Sequence, residues 1–317
     1  MAPVNTDPPS WHLPVMADQV CNFWLSDPSG VYVDATFGDG GHTLALAQHL
    51  NTGARLIGLD RDLVALKRAK MRLAALDGIQ FDTLHAPAAR VADAIGGVGC
   101  EKVDGVLLDL GVSSRQLDDP QLGFSYRGDG PLDMRMDRTQ SLTADEIVNE
   151  WPQERLDATI KELGEERHHR AIARTICESR PLSGTKMLKD LIVGLVRRGK
   201  PEPVLSRVFQ ALRIAVNDEL GQLRDALEGA FTILAPRGRI VVLTYHSLED
   251  RIVKQIFRRE STDCICPPEI PICRCAHLAS VTRLTTKPLT ADDAETLRNP
   301  RARSAKLRAV ERKQEAK

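Results

Sequence analysis

The sequence of 317 residues lacks a long apolar run, an excess of either charge and any internal repeat. No apolar stretch approaches the roughly 18 residues that a membrane-spanning helix needs. Residues 1–14 carry neither the basic start nor the apolar core of a secretion signal, so we expect a cytoplasmic protein. Lys plus Arg and Asp plus Glu number 43 each, which argues against a general attraction to nucleic acid.

Local charge is less even than the total. Eight basic residues lie between Arg298 and Lys317, opposed only by Glu311 and Glu315. This pattern is typical of a solvated tail or of a patch that faces phosphate groups, and the sequence does not decide between them.

Short apolar strands alternate with helical patterns in both the first third and the last third of the chain. Strands are predicted at 31–34, 55–59, 80–84, 103–110 and 239–245, with two more at 281–285 and 304–310. Helices are predicted at 63–75, 205–234 and 248–259. The alternation predicts an α/β fold built on a doubly wound parallel sheet.

The middle of the chain breaks this rhythm. From about 116 to 213 there is no convincing buried strand, whereas Thr143 and Glu146 form a capping box and apolar residues recur at helical spacing. We therefore expect a nucleotide-binding domain formed by 1–115 and 214–317, and an inserted helical domain at 116–213.

The first strand ends in a glycine-rich loop, Asp34-Ala35-Thr36-Phe37-Gly38-Asp39-Gly40-Gly41-His42. Such a loop, with Asp60 at the end of the next strand to bind ribose hydroxyls, fits NAD or S-adenosylmethionine. The glycine spacing departs from Gly-x-Gly-x-x-Gly. Because the flanking carboxylates of Asp34 and Asp39 would repel a pyrophosphate but tolerate a sulfonium, the loop favours S-adenosylmethionine.

Asp109 ends the fourth predicted strand at the same sheet edge. There a carboxylate can accept hydrogen bonds from an amino group that is being methylated, which favours a catalytic role. No Pro-Pro-aromatic sequence follows it, so Phe124, Tyr126 and Tyr245 are the candidates for stacking on a base.

Two further polar residues are open to two interpretations. His246 follows the strand at 239–245 and could contact a base or accept a proton, or it could belong to a helix start capped by Ser247. Gln116 is a candidate ligand contact or a simple polar loop residue.

Four cysteines form two Cys-x-Cys pairs, Cys264 with Cys266 and Cys273 with Cys275. Four thiolates can hold zinc, and His277 could replace one of them, although Cys-x-x-Cys spacing is more typical. A disulfide is disfavoured in a reducing compartment. We favour a metal-free loop and assign no metal ligand.

Eight motifs together resemble the RsmH (MraW) family of bacterial 16S rRNA cytosine-N4 methyltransferases. They are DATFGDGGHT (34–43), LDLGVSSRQLD (108–118), GFSY (123–126), DGPLDMRMD (129–137), GEER (164–167), FQALRI (209–214), HSLEDR (246–251) and NPRARS (299–304). These motifs run nearly end to end and are peculiar to the family.

The resemblance implies a class I methyltransferase that uses S-adenosyl-L-methionine to methylate N4 of one cytidine in the decoding region, on assembled small subunits. It implies RNA contacts by the inserted helices and the basic C-terminal region. By motif position it implies cofactor contacts at Gly40, Gly41, His42, Asp60, Ala88, Asp109 and Gln116. Ala88 departs from the family, whose members often carry an aromatic there, so this residue would offer only its backbone.

Two rival functions share these features. An NAD-dependent oxidoreductase would have the same type of sheet but would give Asp109 no role. A non-enzymatic RNA-binding assembly factor that kept the fold would function normally without the Asp109 carboxylate. A methyl-transfer assay distinguishes the three.

Overall fold

The structure, a computed structural model, describes residues 13–74, 76–196, 198–267, 269–270 and 272–314. The described chain divides into two compact units. The first unit comprises the chain up to Leu110 together with the chain from Glu228 onward, and the second unit is Gly111–Leu227. Within the described ranges, no helix is both long and apolar enough to cross a bilayer.

An eight-stranded sheet forms the centre of the first unit. Its strands are β1 (Val31–Asp34), β2 (Arg55–Asp60), β3 (Gln80–His85), β4 (Val103–Asp109), β5 (Leu234–Thr244), β6 (Val281–Arg283), β7 (Leu289–Thr290) and β8 (Lys306–Arg312). The order is β3-β2-β1-β4-β5-β8-β6, with β7 also paired to β8. The first five strands are parallel, and β8 runs antiparallel to β5. The predicted α/β class and doubly wound parallel sheet are confirmed.

Helices follow the strands in the first unit, as the alternation predicted. They are α1 (Ala17–Trp24), α2 (Gly41–Ala47), α3 (Leu63–Leu73) and α4 (Val91–Gly97) before the second unit, and α12 (Ser247–Glu260) and α13 (Asp293–Arg298) after it. Short 3₁₀ turns cover Ala88–Arg90 and Pro300–Ser304. The Asp62 side chain caps α3 by accepting hydrogen bonds from the N–H groups of Val64 and Ala65.

The second unit is helical. It contains α5 (Ser114–Asp118), α6 (Ala144–Glu150), α7 (Gln153–Gly164), α8 (His169–Glu178), α9 (Thr185–Leu195) and α10 (Glu202–Asn217), together with a 3₁₀ turn at Pro120–Leu122. The next helix, α11 (Glu219–Ile233), begins in this unit and ends in the first. A single buried apolar cluster, including Ile147, Ile160 and Leu212, joins these helices. The capping residue predicted for α6 is in place, because the Thr143 hydroxyl accepts the Glu146 N–H at 3.2 Å.

The limits of the two units differ from those of the expected domains. The sequence predicted one domain formed by 1–115 and 214–317 and an inserted domain at 116–213. The first boundary falls earlier, at Leu110, and the second falls later, at Leu227. Helix α10 packs against α6, α7 and α9 and so belongs wholly to the helical unit, and the second boundary lies within α11.

One local prediction was wrong. The single helix expected at 205–234 is interrupted at Asp218, whose left-handed φ of 45° separates α10 from α11. The strand expected at 239–245 begins earlier, because β5 starts at Leu234, but its pairing with β4 is irregular between Leu234 and Arg239, where Arg237 has a left-handed φ of 65°. At Asp218 the apolar spacing continues through the break in the backbone.

The basic C-terminal segment is not a solvated tail over its described part. Residues 306–312 form β8, an internal strand between β5 and β6. Arg308 is buried and holds both carboxylate oxygens of Asp250, at 2.7 and 3.2 Å. Arg298, Arg303 and Lys313 remain exposed, whereas Lys317 lies outside the described residues.

Buried Asn217, at the end of α10, fixes the loop that contains the motif at 129–137. Its Oδ1 accepts the Met136 N–H at 2.9 Å, and its Nδ2 donates to the Met134 carbonyl at 2.7 Å. Met134 has a left-handed φ of 59°. In the same loop Arg135 pairs with Asp133 through two hydrogen bonds of 2.7 and 3.1 Å, so the loop itself holds the guanidinium group.

We predict that Asn217→Ala lowers the free energy of unfolding of the helical unit by about 2 to 4 kcal/mol, because buried backbone groups lose their partners. Hydrogen exchange in urea, measured by mass spectrometry on peptides from α6 to α10, tests this. The matched control is Asn51→Ala, at an exposed asparagine. Equal effects of the two substitutions would contradict the assigned role of Asn217.

Candidate active site

Three aspartates end three neighbouring parallel strands at one edge of the sheet. Asp34 is the last residue of β1, Asp60 of β2 and Asp109 of β4. The strand order places β1 between β2 and β4. The predicted alignment of these three carboxylates on one edge is therefore confirmed, and this is the edge where ligands bind in such sheets.

The glycine loop turns tightly between β1 and α2. Gly40 has φ of 71° and precedes the first residue of α2, Gly41. A side chain at Gly40 would be strained by this left-handed φ and would also meet the ring of Phe37 at 3.2 Å. The loop is tied to β2, because the Gly38 N–H donates to Asp60 Oδ2 at 2.7 Å.

The charge argument that favoured a cationic ligand holds for only part of the loop. Arg68 binds both carboxylate oxygens of Asp39, at 2.8 and 3.0 Å, and so neutralises that side chain. The negative charge near the loop comes instead from the strand-end residues Asp60 and Asp109.

Asp60 accepts one backbone hydrogen bond on each oxygen, from Gly38 and from Asp62 at 2.8 Å. Burial raises the pKa of Asp60, and these two hydrogen bonds oppose the shift. A carboxylate oxygen can accept more than one hydrogen bond, so Asp60 keeps capacity for donors such as ribose hydroxyls. Such donors would favour its ionised form further.

One oxygen of Asp109 accepts a hydrogen bond, and the other lies close to a buried imidazole that makes no hydrogen bond among the described residues. The Tyr245 hydroxyl donates to Oδ1 at 2.7 Å, and Nε2 of buried His42 lies 3.3 Å from Oδ2. The Asp109 N–H donates to the Thr36 hydroxyl at 2.6 Å, which links β4 to the glycine loop. Its side chain remains 26% exposed, so the carboxylate is oriented and still accessible.

The sequence predicts neither the hydrogen bond that Asp109 accepts from Tyr245 nor the one that its N–H donates to Thr36. For Tyr245 the sequence suggests only base stacking, and for Thr36 it suggests no contact. The adjacency of β4 and β5, which pairs Asp109 with Leu243, would have suggested the tyrosine. Burial, followed by the negative charge of Asp109, raises the pKa of Tyr245 well above its ordinary value. Tyr245 is therefore a persistent hydrogen-bond donor.

His246 follows β5 at the same edge of the sheet. It caps α12 itself, whereas Ser247 was the expected cap. Its Nδ1 accepts the Glu249 N–H at 3.4 Å, and Glu249 in turn accepts the N–H groups of Tyr245 and His246. The side chain of His246 is only 9% exposed. This arrangement favours a positioning role, and the predicted catalytic role stays a prediction.

Ala88 and Gln116, both predicted cofactor contacts, lie in different units. Ala88 is half-buried and starts the 3₁₀ turn that follows β3, so it belongs to the same sheet edge. Gln116 is buried in the helical unit, where it completes a capping box: its Oε1 accepts the Ser113 N–H at 2.9 Å. Cofactor contact at either residue remains a prediction.

The other two stacking candidates belong to the helical unit. Phe124 is 5% exposed within its apolar core, so it is unsuited to stack on a base. Tyr126 packs edge-on against Phe209, with 5.5 Å between ring centroids, and its hydroxyl lies 3.1 Å from that of Ser206.

The first unit fits S-adenosylmethionine in its donor and acceptor groups. Asp60 can hold the ribose, the left-handed turn at Gly40 leaves the loop without a side chain, and Asp109 supplies negative charge near a sulfonium. The sheet has five parallel strands followed by an antiparallel one, the glycine loop after β1 and the Asp60 carboxylate at the end of β2. These features define a class I S-adenosylmethionine-dependent methyltransferase.

The particular family follows from comparison of the whole chain. Residues 9–313 match the model of the MraW methylase family, and the chain belongs to that family. Among its relatives, ribosomal RNA small subunit methyltransferase H of Geobacter sulfurreducens is 46% identical over 307 residues, covering 95% of this chain and 98% of the relative. The protein of the same name from Symbiobacterium thermophilum is 45% identical over 306 residues, covering 94% and 96%.

Solved structures resemble the chain more weakly. An rRNA methylase from Streptococcus thermophilus has 12% identity and a TM-score of 0.41, covering 94% of each chain. The N-methyltransferase NodS from Bradyrhizobium japonicum has 10% identity and the same score and coverage. The assignment rests on the family match, which also excludes the NAD-dependent oxidoreductase.

The buried carboxyl of Asp34 should make the stability of the folded protein depend on pH. Burial raises its pKa to about 7, although His42 and the Thr43 hydroxyl, which donates to Oδ2 at 2.9 Å, act in the opposite direction. The folded state therefore holds a proton that the unfolded state releases near pH 4. The contribution of Asp34 to stability is complete below that pH and declines as pH rises towards 7, by at most about 1.4 kcal/mol per pH unit.

We predict that Asp34→Asn flattens this decline, because an amide does not titrate. Urea unfolding between about pH 5 and 8, without ligand, measures the slope. Asp93→Asn, at an exposed carboxylate, controls for loss of a surface charge. If the Asp34→Asn variant kept the slope of the parent protein, Asp34 would not be the group that holds the proton.

Proposed function

We propose that the protein transfers a methyl group from S-adenosyl-L-methionine to N4 of one cytidine in the decoding region of bacterial 16S rRNA, within the assembled small ribosomal subunit. Support comes from the family match and from the relatives named ribosomal RNA small subunit methyltransferase H. The observation that carries the proposed reaction is the accessible Asp109 carboxylate. It lies between Tyr245 and His42, at the edge of the sheet where β1, β2 and β4 end and where the cofactor would bind (the cofactor edge).

The amino group of cytosine is a weak nucleophile, since its lone pair is delocalised into the ring. S-adenosylmethionine supplies an electrophilic methyl group on its sulfonium. Asp109 would accept a hydrogen bond from the amino group, which strengthens as positive charge develops on nitrogen. Tyr245 orients the carboxylate, and the rest of the catalysis is in-line positioning. The nitrogen–carbon bond would form as the carbon–sulfur bond breaks, S-adenosylhomocysteine would leave, and the proton lost by the amino group would pass to Asp109 or to solvent.

Gly40, Gly41, His42, Asp60 and Ala88 would hold the cofactor in the first unit, and the position of Gln116 in its motif predicts a further cofactor contact. His42 would act through its backbone, because its ring is buried beside Asp109. His246 would position β5 and Tyr245 through Glu249 rather than exchange protons with the substrate.

The helical unit would recognise the RNA. Its α8 region carries several exposed basic side chains near the start of the helix, namely Arg167, His168, Arg170 and Arg174. Side chains of this kind bind phosphate groups without reading sequence. The exposed Arg298, Arg303 and Lys313 of the first unit would add to these contacts.

We predict that labelled S-adenosylmethionine and the purified protein methylate small subunits from a strain that lacks this activity. Nuclease digestion and mass mapping should place the methyl group on N4 of a single cytidine. A parallel reaction with protein-free 16S rRNA tests whether the assembled subunit is required. Absence of transfer to either RNA would leave the non-enzymatic assembly factor as the better explanation, and a methyl group on another atom would refute the assigned reaction.

We predict that two conservative substitutions separate binding from chemistry. Asp60→Asn should weaken S-adenosylmethionine binding by about 10- to 100-fold, since it removes charge-assisted hydrogen bonds, with little change in kcat at saturation. Asp109→Asn should lower kcat by about 100-fold or more while changing cofactor Kd much less. Calorimetry and single-turnover methylation measure the two quantities.

Asp82→Asn is the matched control, because Asp82 lies on β3 and pairs with Arg55 away from the strand ends. If Asp109→Asn impaired cofactor binding as much as Asp60→Asn and left kcat unchanged, Asp109 would be a cofactor ligand without a catalytic role.

A further inference from the structure

Four cysteines that the methyl-transfer site does not use meet in one cluster. Cys264 and Cys266 form one Cys-x-Cys arm, and Cys273 and Cys275 form the second. Both arms lie between α12 and β6, in the first unit. Their four sulfur atoms all lie within 4.8 Å of one another, and all four thiols are free.

The spacing of the sulfurs fits a tetrahedral metal ion. Cys275 Sγ lies 3.6 Å from Cys273 Sγ and 3.9 Å from Cys264 Sγ. Zinc–sulfur bonds of about 2.3 Å in tetrahedral geometry place sulfurs about 3.8 Å apart. The same distances are far longer than a disulfide bond of about 2.05 Å.

Each arm also donates a backbone hydrogen bond to a sulfur of the other arm. The Ile265 N–H points to Cys275 Sγ, and the Arg274 N–H points to Cys266 Sγ, both at 3.4 Å. N–H donors directed at sulfur stabilise negative charge on it. The two arms therefore form a reciprocal arrangement suited to thiolates.

No apolar core explains why these arms converge. The described residues between Glu260 and Val281 form neither helix nor strand, and none of them is buried. Ile265, Ile270 and Ile272 are all exposed. A loop of this length without secondary structure or a core needs another source of order.

The loop is fixed at its base and strained beside the cluster. The Ser280 N–H donates to the Glu260 carbonyl at 2.9 Å, and the Ala279 N–H donates to Asp263 Oδ1 at 3.1 Å. Ala276, next to Cys275, has a left-handed φ of 49°. A non-glycine residue in this conformation is strained, and the surrounding structure has to offset that strain.

His277 does not take part in the cluster. Its Nε2 lies 2.9 Å from the Arg259 carbonyl, so that nitrogen is engaged with the end of α12. The set of ligands is thus four sulfurs, which is a closed site with no position left for water or substrate.

We propose that Cys264, Cys266, Cys273 and Cys275 bind one zinc ion as a structural four-thiolate site. The thiols release their protons to solvent as the metal binds, and no electron transfer occurs. The metal-free loop favoured by the sequence alone is replaced by this proposal, because the structure brings the sulfurs to tetrahedral spacing.

The length of α12 separates the cysteine cluster from the methyl-transfer site. His246 and Ser247 begin this helix at the sheet edge, and the cysteine loop starts beyond Glu260. A helix of 14 residues spans about 21 Å. The zinc ion would therefore order the loop and would not touch the methyl donor or acceptor.

Metal analysis of the full-length protein, purified under reducing conditions without added chelator, tests the proposal. We expect about one zinc ion per chain. Co²⁺ added to chelator-stripped protein should give the intense thiolate-to-cobalt absorption of a four-sulfur site, and Zn²⁺ should abolish it. Limited proteolysis should cut residues 261–280 faster after stripping, with protection restored by Zn²⁺.

The double substitution Cys273→Ser with Cys275→Ser should remove the zinc and the cobalt band. The control is Cys100→Ser, at a buried thiol that donates to the Lys102 carbonyl outside the loop, and this variant should keep both signals. Since stripping and reloading use the unchanged sequence, a folding defect in the double variant would not obscure the result. Protein with less than about a tenth of an equivalent of zinc and no cobalt–thiolate band would overturn the proposal, as would mass spectrometry that finds these cysteines paired in disulfides.

Discussion

Parallel strand pairing determines where every acidic group of the candidate site lies. Because β2, β1 and β4 are adjacent and point the same way, Asp60, Asp34 and Asp109 leave the sheet at one edge. Residues far apart in sequence thereby become neighbours without any contact between their side chains having to hold them together. The glycine loop then uses this edge, with Gly38 bonded to Asp60 and Thr36 bonded to the backbone of Asp109.

Bringing three carboxyl groups to one edge creates a repulsion that the fold resolves differently at each position. Asp34 is buried and has a raised pKa, Asp60 is surrounded by backbone N–H groups, and Asp109 has the Tyr245 hydroxyl and the His42 ring. Asp109 thus remains an accessible acceptor, Asp60 keeps capacity for further donors, and Asp34 is satisfied internally. Distinct environments for chemically equal groups are how one site assigns them distinct roles.

The sequence predicted the sheet well because its buried strands are short apolar runs that end in polar residues, as at Asp60 and Asp109. It failed where the direction of the backbone changes without a change in apolar spacing, at Asp218. The bond between Tyr245 and Asp109 was not predicted, since it depends on pairing β4 with β5 across the entire helical unit. The convergence of the two Cys-x-Cys arms is likewise a tertiary property that spacing alone left open.

The place of β8 in the sheet has a consequence for the order of folding. Strand β6 precedes β8 in the sequence, and among the described strands β8 is its only partner. Strand β8 in turn pairs with β5 and so connects β6 to the parallel strands. During synthesis β6 would therefore remain unpaired until β8 had emerged, whereas the helical unit, which is continuous in sequence, can form earlier. Contacts of long sequence separation form slowly. Completion of the sheet beside Tyr245 would then be a late event, whereas β1, β2 and β4, which end in the three aspartates, are made before the helical unit and pair directly with one another.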